Sequence, residues 1–200
     1  CRYCNSPWQS ELYKNEAQTN FLRRKSLEKI KEELFFYKDV MQAEYLYFWS
    51  DTFFSWKRDD FIKFCDIYED IKLPFWIQTR PETITDYNMQ NLKSVGLHRV
   101  SFGVEHGNFK FRKKVLTRHC TNEQIIKGLN IVYEVGIPFS VNNVVGFPGE
   151  TYELAFDTIE LNRKIIADDR NCYPFTPFHG VPLRKKCDEL GYTKYEDLVE

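Results

Sequence analysis

Short apolar runs that alternate with amphipathic helical stretches constrain this chain more than any other feature of its sequence. Residues 21–42 carry Leu27, Ile30, Leu34, Tyr37 and Met41 at helical spacing. The run Tyr45–Trp49 follows and reads as a buried strand. A second helical stripe, Phe61, Phe64, Cys65, Tyr68 and Ile71, leads to a strand over Pro74–Thr79. The spacing then predicts a helix over 85–95 stopped by Gly96, and a strand over His98–Gly103. Thr121 and Gln124 have capping-box spacing, opening a helix that ends at Gly136. Ile137–Val145 is the next strand, 150–166 the next helix, and Tyr173–Pro177 a final strand interrupted by two prolines. Such alternation predicts an α/β fold with a parallel sheet covered by helices, either doubly wound or closed toward a barrel. In both, ligands bind at the C-terminal ends of the strands, after Trp49, Thr79, Gly103, Val145 and Phe175.

Composition narrows the function. The chain has 200 residues, 42% hydrophobic and 16% aromatic, enough for one domain with its own core. Its 28 basic and 29 acidic residues leave a net charge of −1, so bulk electrostatics points to neither nucleic acid nor membrane as a partner. No apolar run approaches the roughly 20 residues of a membrane-spanning helix. The opening Cys1-Arg-Tyr-Cys4-Asn5 is not a secretory signal. Of the six cysteines only Cys1 and Cys4 are close together, which is sparse for a disulfide scaffold and fits a reducing, cytoplasmic setting.

On spacing alone, Cys1-x-x-Cys4 fits a redox dithiol, half a zinc site or part of an iron–sulfur site equally well. The segments that follow separate these. Cys1-Arg-Tyr-Cys4-Asn-Ser6-Pro7 resembles the last two cysteines of the C-x-x-x-C-x-x-C loop of radical S-adenosylmethionine (SAM) enzymes. Trp49-Ser-Asp51-Thr-Phe, Gln78-Thr-Arg80-Pro, Val100-Ser-Phe-Gly-Val-Glu105-His-Gly107, Arg118 and Gly146-Phe-Pro-Gly-Glu-Thr151 then follow in that family's order. The resemblance covers residues 1–185 and is nearest to the branch shared by cobalamin-binding radical SAM proteins and methylthiotransferases.

It implies a partial (β/α)6 barrel of the TIM type whose first strand precedes this chain, and a core domain over 1–185 with 186–200 starting a C-terminal extension. It implies a [4Fe–4S] cluster on Cys1, Cys4 and a third cysteine four positions upstream, so that the chain by itself is expected to be inactive. It also implies a SAM site. Tyr3, Ser50, Asp51, Thr52, Gln78, Arg80, Ser101, Glu105, Arg118, Asn142 and Gly146 match the positions concerned. Ser50-Asp51-Thr52 takes the place of the motif that receives the SAM amino group, and Gln78 that of a ribose-binding side chain. Glu105 and Arg118 correspond to a pair facing SAM, with the arginine on its carboxylate. The Gly146 turn lies beside the adenine in the family. Asn142 and Asn143 interrupt an apolar strand, so one of them must face inward.

The implied activity is radical chemistry initiated by SAM cleavage, within a cobalamin-dependent methyltransferase-like protein acting on a small-molecule substrate with flavodoxin or ferredoxin as reductant. A methylthiotransferase acting on tRNA and a zinc-binding or redox α/β domain are the alternatives. Cys65 is expected in the core, and Cys120, Cys172 and Cys187 carry no metal role.

Overall fold

A computed structural model describes residues 1–50 and 52–194. Asp51, expected in the SAM site, and residues 195–200 of the expected C-terminal extension therefore lie outside the described residues. Eight α-helices and five strands occur among the described residues. The helix α1 (Ser6–Glu16) and α2 (Leu27–Phe35), with a π-helical turn at Phe36–Val40, precede β1 (Leu46–Phe48). Then come α3 (Arg58–Ile71), β2 (Phe75–Thr79), a 3-10 turn at Pro81–Thr83, α4 (Asp86–Ser94) and β3 (Leu97–Glu105). The helices α5 (Phe109–Lys114) and α6 (Asn122–Val135) lead to β4 (Phe139–Val145). Finally α7 (Tyr152–Asn162), β5 (Asp169–Pro174) and α8 (Pro182–Glu189) complete the described fold. No helix among the described residues is long and apolar enough to cross a membrane.

The five strands form one parallel sheet in sequential order, β1-β2-β3-β4-β5. This is the α/β arrangement that the alternating pattern predicts. On one face, Phe75, Ile77, Val100, Phe102, Val104, Phe139 and Val141 pack against Phe64, Tyr68, Leu92, Ile125, Leu129 and Val132 of the covering helices. Cys65 belongs to this core, and burial pushes its thiol up to about 12. A second, smaller cluster joins Phe111, Leu116, Phe147 and Leu183 with Tyr3 over the C-terminal ends of the strands. Because Leu183 of α8 belongs to it, that helix packs on the core and crosses position 185, where the resemblance ends.

Local signals explain most boundaries. Ser26 caps α2 through the Lys29 N–H, so the helix begins at Leu27, where the apolar stripe begins. Thr121 and Gln124 form the capping box on α6, and Gly136 closes it at φ 73. Thr151 caps α7. The helix α1 escapes apolar patterning because it buries no residue at all, and its only sequence signal is Pro7 in the first turn. The last strand differs from expectation. It runs Asp169–Pro174 and pairs with β4 as far as Val145 opposite Pro174, after which Phe175 N–H still donates to the Val145 carbonyl at 2.7 Å.

Candidate SAM and cluster site

Strand alternation decides which side chains reach the site. On β3, Val100, Phe102 and Val104 point to the helices, so Ser101, Gly103 and Glu105 share the opposite face. Gln78 pairs with Ser101 in register, Ser101 with Ser140, and Gly103 with Asn142. Asn142 thus lies on the inner face, where it accepts a hydrogen bond from Asn171 at 3.0 Å. Asn143 turns outward to Asn162 of α7. Ser101 is buried, accepts from Trp76 Nε1 at 3.1 Å and lies 2.8 Å from the Ser140 hydroxyl.

The centre of the site is ionic. Arg118 donates to Glu105 Oε1 at 3.1 Å and to the Gly103 carbonyl at 2.7 Å, and lies 3.5 Å from Glu82 Oε2. Glu105 holds the left-handed backbone value φ 71, which turns its carboxylate back over the strand. Gly103 makes that possible, since a Cβ there would collide with Glu105 Oε1. Arg80, half exposed, pairs with Glu82. Charges therefore alternate through Arg80, Glu82, Arg118 and Glu105. Burial raises the Glu105 carboxyl pKa, with Arg118 and Tyr3 opposing it. Burial also works against the Arg118 charge, yet Glu105, Tyr3 and Glu82 together hold it above its ordinary value. At Glu82 burial is outweighed by Arg118 and backbone hydrogen bonding, and its pKa is lowered.

The cysteine loop is fastened over this network. Arg2 N–H donates to the Leu116 carbonyl, and Leu183 N–H to the Arg2 carbonyl. Tyr3 sits edge-on to Phe147 and beside Glu105, and burial followed by the Glu105 charge pushes its phenol far above the usual range. Cys4 Sγ accepts from Ser6 N–H at the start of α1 and lies 3.1 Å from Ser6 Oγ. Cys1 is exposed. Among the described residues no group of three or more His, Cys, Asp or Glu is placed to hold a metal ion.

The remaining expected residues have partners of their own. Thr52 Oγ1 lies 3.1 Å from Thr79 Oγ1, and Phe53 N–H donates to the Gln78 carbonyl. Gly146 opens the turn after β4 at φ 83. Its N–H and that of Phe147 donate to Glu150, whose other oxygen meets buried His106 at 3.0 Å. Sequence reasoning missed Glu82 and the His106–Glu150 pair. Both depend on contacts across 36 or more positions, and only the Gly146–Glu150 turn pointed toward them.

These residues suit a polar cationic ligand and a sulfur-bound cluster. Ser50 Oγ is buried without a hydrogen-bond partner, and buried polar groups ordinarily have one, while the Glu82 carboxylate is held by its ion pairs with Arg80 and Arg118. SAM carries an ammonium, a sulfonium and ribose hydroxyls that could meet such acceptors. Two thiolates are the donor type, though not the full number, that an iron–sulfur cluster takes.

Comparison with known proteins agrees in family. A tRNA-2-methylthio-N(6)-dimethylallyladenosine synthase of Halalkalibacterium halodurans is 30% identical over 126 residues, covering 60% of this chain and 23% of that protein. Coproporphyrinogen III oxidase of Escherichia coli superposes with a TM-score of 0.68 at 16% identity, covering 93% of this chain and 44% of the other. The radical SAM methyltransferase TsrM of Kitasatospora setae, solved with cobalamin and a [4Fe–4S] cluster, gives 0.68 at 15% identity over 84% of this chain and 34% of the other. The chain thus spans about a quarter of the curated relative's length and less than half of each solved structure. These likenesses identify the five-stranded sheet as a partial TIM-type barrel. The family profile described as Radical SAM superfamily matches residues 1–161, and the chain belongs to that superfamily.

Proposed function

We propose that this chain is the SAM-binding core of a cobalamin-dependent, methyltransferase-like radical enzyme, with residues 1–185 as the core domain. The observation that carries the SAM reading is the buried Glu105–Arg118 pair, which joins Glu82, Gly103 and Tyr3 at the strand ends beside Cys4. When bound and reduced, the [4Fe–4S] cluster supplies one-electron cleavage of SAM to a 5′-deoxyadenosyl radical. Cys1 and Cys4 would hold two of its irons. Arg118, oriented by Glu105, would take the SAM carboxylate in a charge-assisted contact. Ser50, Asp51 and Thr52 would receive the amino group, with Arg80 and its partner Glu82 bordering them. Gln78 and Ser101 would meet the ribose, and Asn142 and the Gly146 turn the adenine. Tyr3 closes the loop over the Glu105 carboxylate and excludes water there, which strengthens the surrounding ion pairs.

The decisive experiment uses the full-length protein reconstituted anaerobically with iron and sulfide. Dithionite and SAM are added and 5′-deoxyadenosine is quantified against Cys4→Ala. Product that depends on Cys4 is expected. Bound zinc without labile sulfide would instead support a structural or redox role for Cys1 and Cys4.

The methylthiotransferase likeness favours a second reading, a methylthio-transfer core acting on tRNA. Stoichiometric cobalamin in the full-length protein supports the first reading. A second cluster's iron and labile sulfide without cobalamin supports the second.

A further inference from the structure

A cavity apart from the candidate SAM site opens between the starts of α3 and α4. Its volume is about 590 Å3, within the range of about 300–1,000 Å3 usual for small-molecule pockets. It lies on the helix side of the sheet, since Phe61 in its wall belongs to the outer core. Glu105 projects from the opposite face of β3.

Three rings form the apolar part of the wall. Phe54 lies 5.8 Å from Phe61, and Phe61 lies 6.5 Å from Tyr87, with planes inclined at 55° and 57°. The rings therefore make a corner rather than a closed stack. Trp56 backs the corner, held between the Arg24 guanidinium at 4.4 Å and Phe64 at 5.4 Å.

The polar part has one uncommitted charge. Arg58 is the one charged side chain lining the cavity. Its guanidinium stands 5.1 Å over the Tyr87 ring and has no acidic partner among the described residues. Arg24, by contrast, is taken up by Asp60 and the Ser55 carbonyl. Thr83 is also satisfied, donating to the Arg80 carbonyl at 2.7 Å and lying 3.0 Å from the Thr79 hydroxyl. The Asn88 carboxamide lines the cavity with no protein partner among the described residues.

A flat ring fits the aromatic corner, and an anionic group on a short arm would meet the open guanidinium fork. The charge that fits is single. Asp59 and Asp60 share the first turn of α3 with Arg58, so a phosphate dianion would be repelled where a carboxylate is balanced.

We propose that this cavity binds an aromatic carboxylate, its ring in the corner of Phe54, Phe61 and Tyr87 and its carboxylate on Arg58 and Asn88. The occupant is an accessory ligand rather than the reacting group, because the sheet stands between it and the Glu105–Arg118 pair. The site rests on its own residues and is independent of the SAM reading.

The test uses the full-length protein and isothermal titration calorimetry, with 2-naphthylacetate as the probe. Its neutral analogue 2-naphthylethanol, the aliphatic anion cyclohexylacetate and the dianion 2-naphthyl phosphate are the comparisons. The naphthylacetate should bind at least tenfold more tightly than each of the three, in line with one charge-assisted contact and one aromatic contact. Arg58→Gln should weaken naphthylacetate about tenfold and leave naphthylethanol unchanged, and Arg58→Lys should recover part of the loss. Tyr87→Ala should weaken both naphthyl probes, and Tyr87→Phe should restore them. Both side chains are exposed, so thermal midpoints should stay at the wild-type value in all four variants.

Naphthylacetate should still bind when the protein is saturated with SAM. Complete displacement by SAM would place the ring in the SAM site and overturn the proposal. So would equal binding of the alcohol or the cyclohexyl acid, tighter binding of the phosphate, or undiminished binding in both Arg58→Gln and Tyr87→Ala. A protein that binds no SAM yet holds naphthylacetate through Arg58 would remove the SAM reading and support the carboxylate site.

Discussion

The two faces of β3 are made by alternate residues of one segment, yet they do opposite work. Val100, Phe102 and Val104 are fully buried against helices and contribute stability. Ser101 and Glu105 are buried as well but meet a hydroxyl row and a buried ion pair. Burial is similar on both sides, so burial does not distinguish core from site. What differs is whether the buried atoms need partners, and the site is where Ser50 Oγ still lacks one.

Substitutions on the two faces should therefore separate stability from ligand affinity. The largest loss of stability is expected from Phe102→Ala, about 4 kcal/mol for a large-to-small change in a filled core. Urea denaturation would measure it, and SAM affinity per folded molecule should not move. An equal fall in affinity would mean that the outer face is part of the site.

Arg118→Met should cost about 3 kcal/mol, because Glu105 and Glu82 lose their buried counter-charge. Unlike the core change, it should also abolish SAM binding in equilibrium dialysis. Arg118→Lys should recover part of the stability but less of the affinity, since an ammonium lacks the guanidinium fork. Retained SAM affinity in Arg118→Met would break the assignment of the carboxylate site.

Ser101→Ala is milder, about 1 kcal/mol for one hydroxyl shared by Trp76 and Ser140. Its effect should show mainly as weaker SAM binding. A stability loss with no change in affinity would reassign Ser101 to packing alone.

The smallest effect concerns pH at the junction of the two faces, where His106 bonds Glu150. Burial lowers the His106 pKa below its ordinary 6.5, although Glu150 opposes the shift. On acidification the unfolded chain takes the proton first. The stability that His106 contributes is therefore present in full above the unfolded value and is lost as pH falls through the lower folded one. Thermal midpoints of wild type and His106→Gln, compared between about pH 8 and about pH 5, should show the steeper acid-side decline in wild type. Identical slopes would mean that His106 does not titrate across this range.

Much of the candidate site could be read from the sequence because it is carried by short segments at strand ends. Ser101, Glu105, Arg118, Asn142 and Gly146 are each fixed by strand alternation or by a turn: Ser101, Glu105 and Asn142 share the inner face of the sheet, Arg118 meets Glu105, and Gly146 opens the turn after β4. Tyr3, in the cysteine loop, joins them through contacts with Phe147 and Glu105. Arg80 also reaches the site, but through Glu82, which the sequence did not single out. Helix α1 went unseen for the converse reason, since a helix that buries nothing leaves no apolar period.

By itself the sequence determined the alternation of strands and helices, the parallel sheet and the outer core. These follow from local periodicity, caps and glycines, which act over a few residues, and the order of its motifs carried the resemblance to the family. Only the tertiary structure decided that Asn142 rather than Asn143 faces inward, that Glu82 joins Arg118, and that His106 anchors the Gly146 turn through Glu150. It also decided that Tyr47, Trp49 and Trp76 meet on one open face. Each of these depends on sheet register, strand alternation or packing between segments far apart in the chain, and no local pattern of residues encodes the partner.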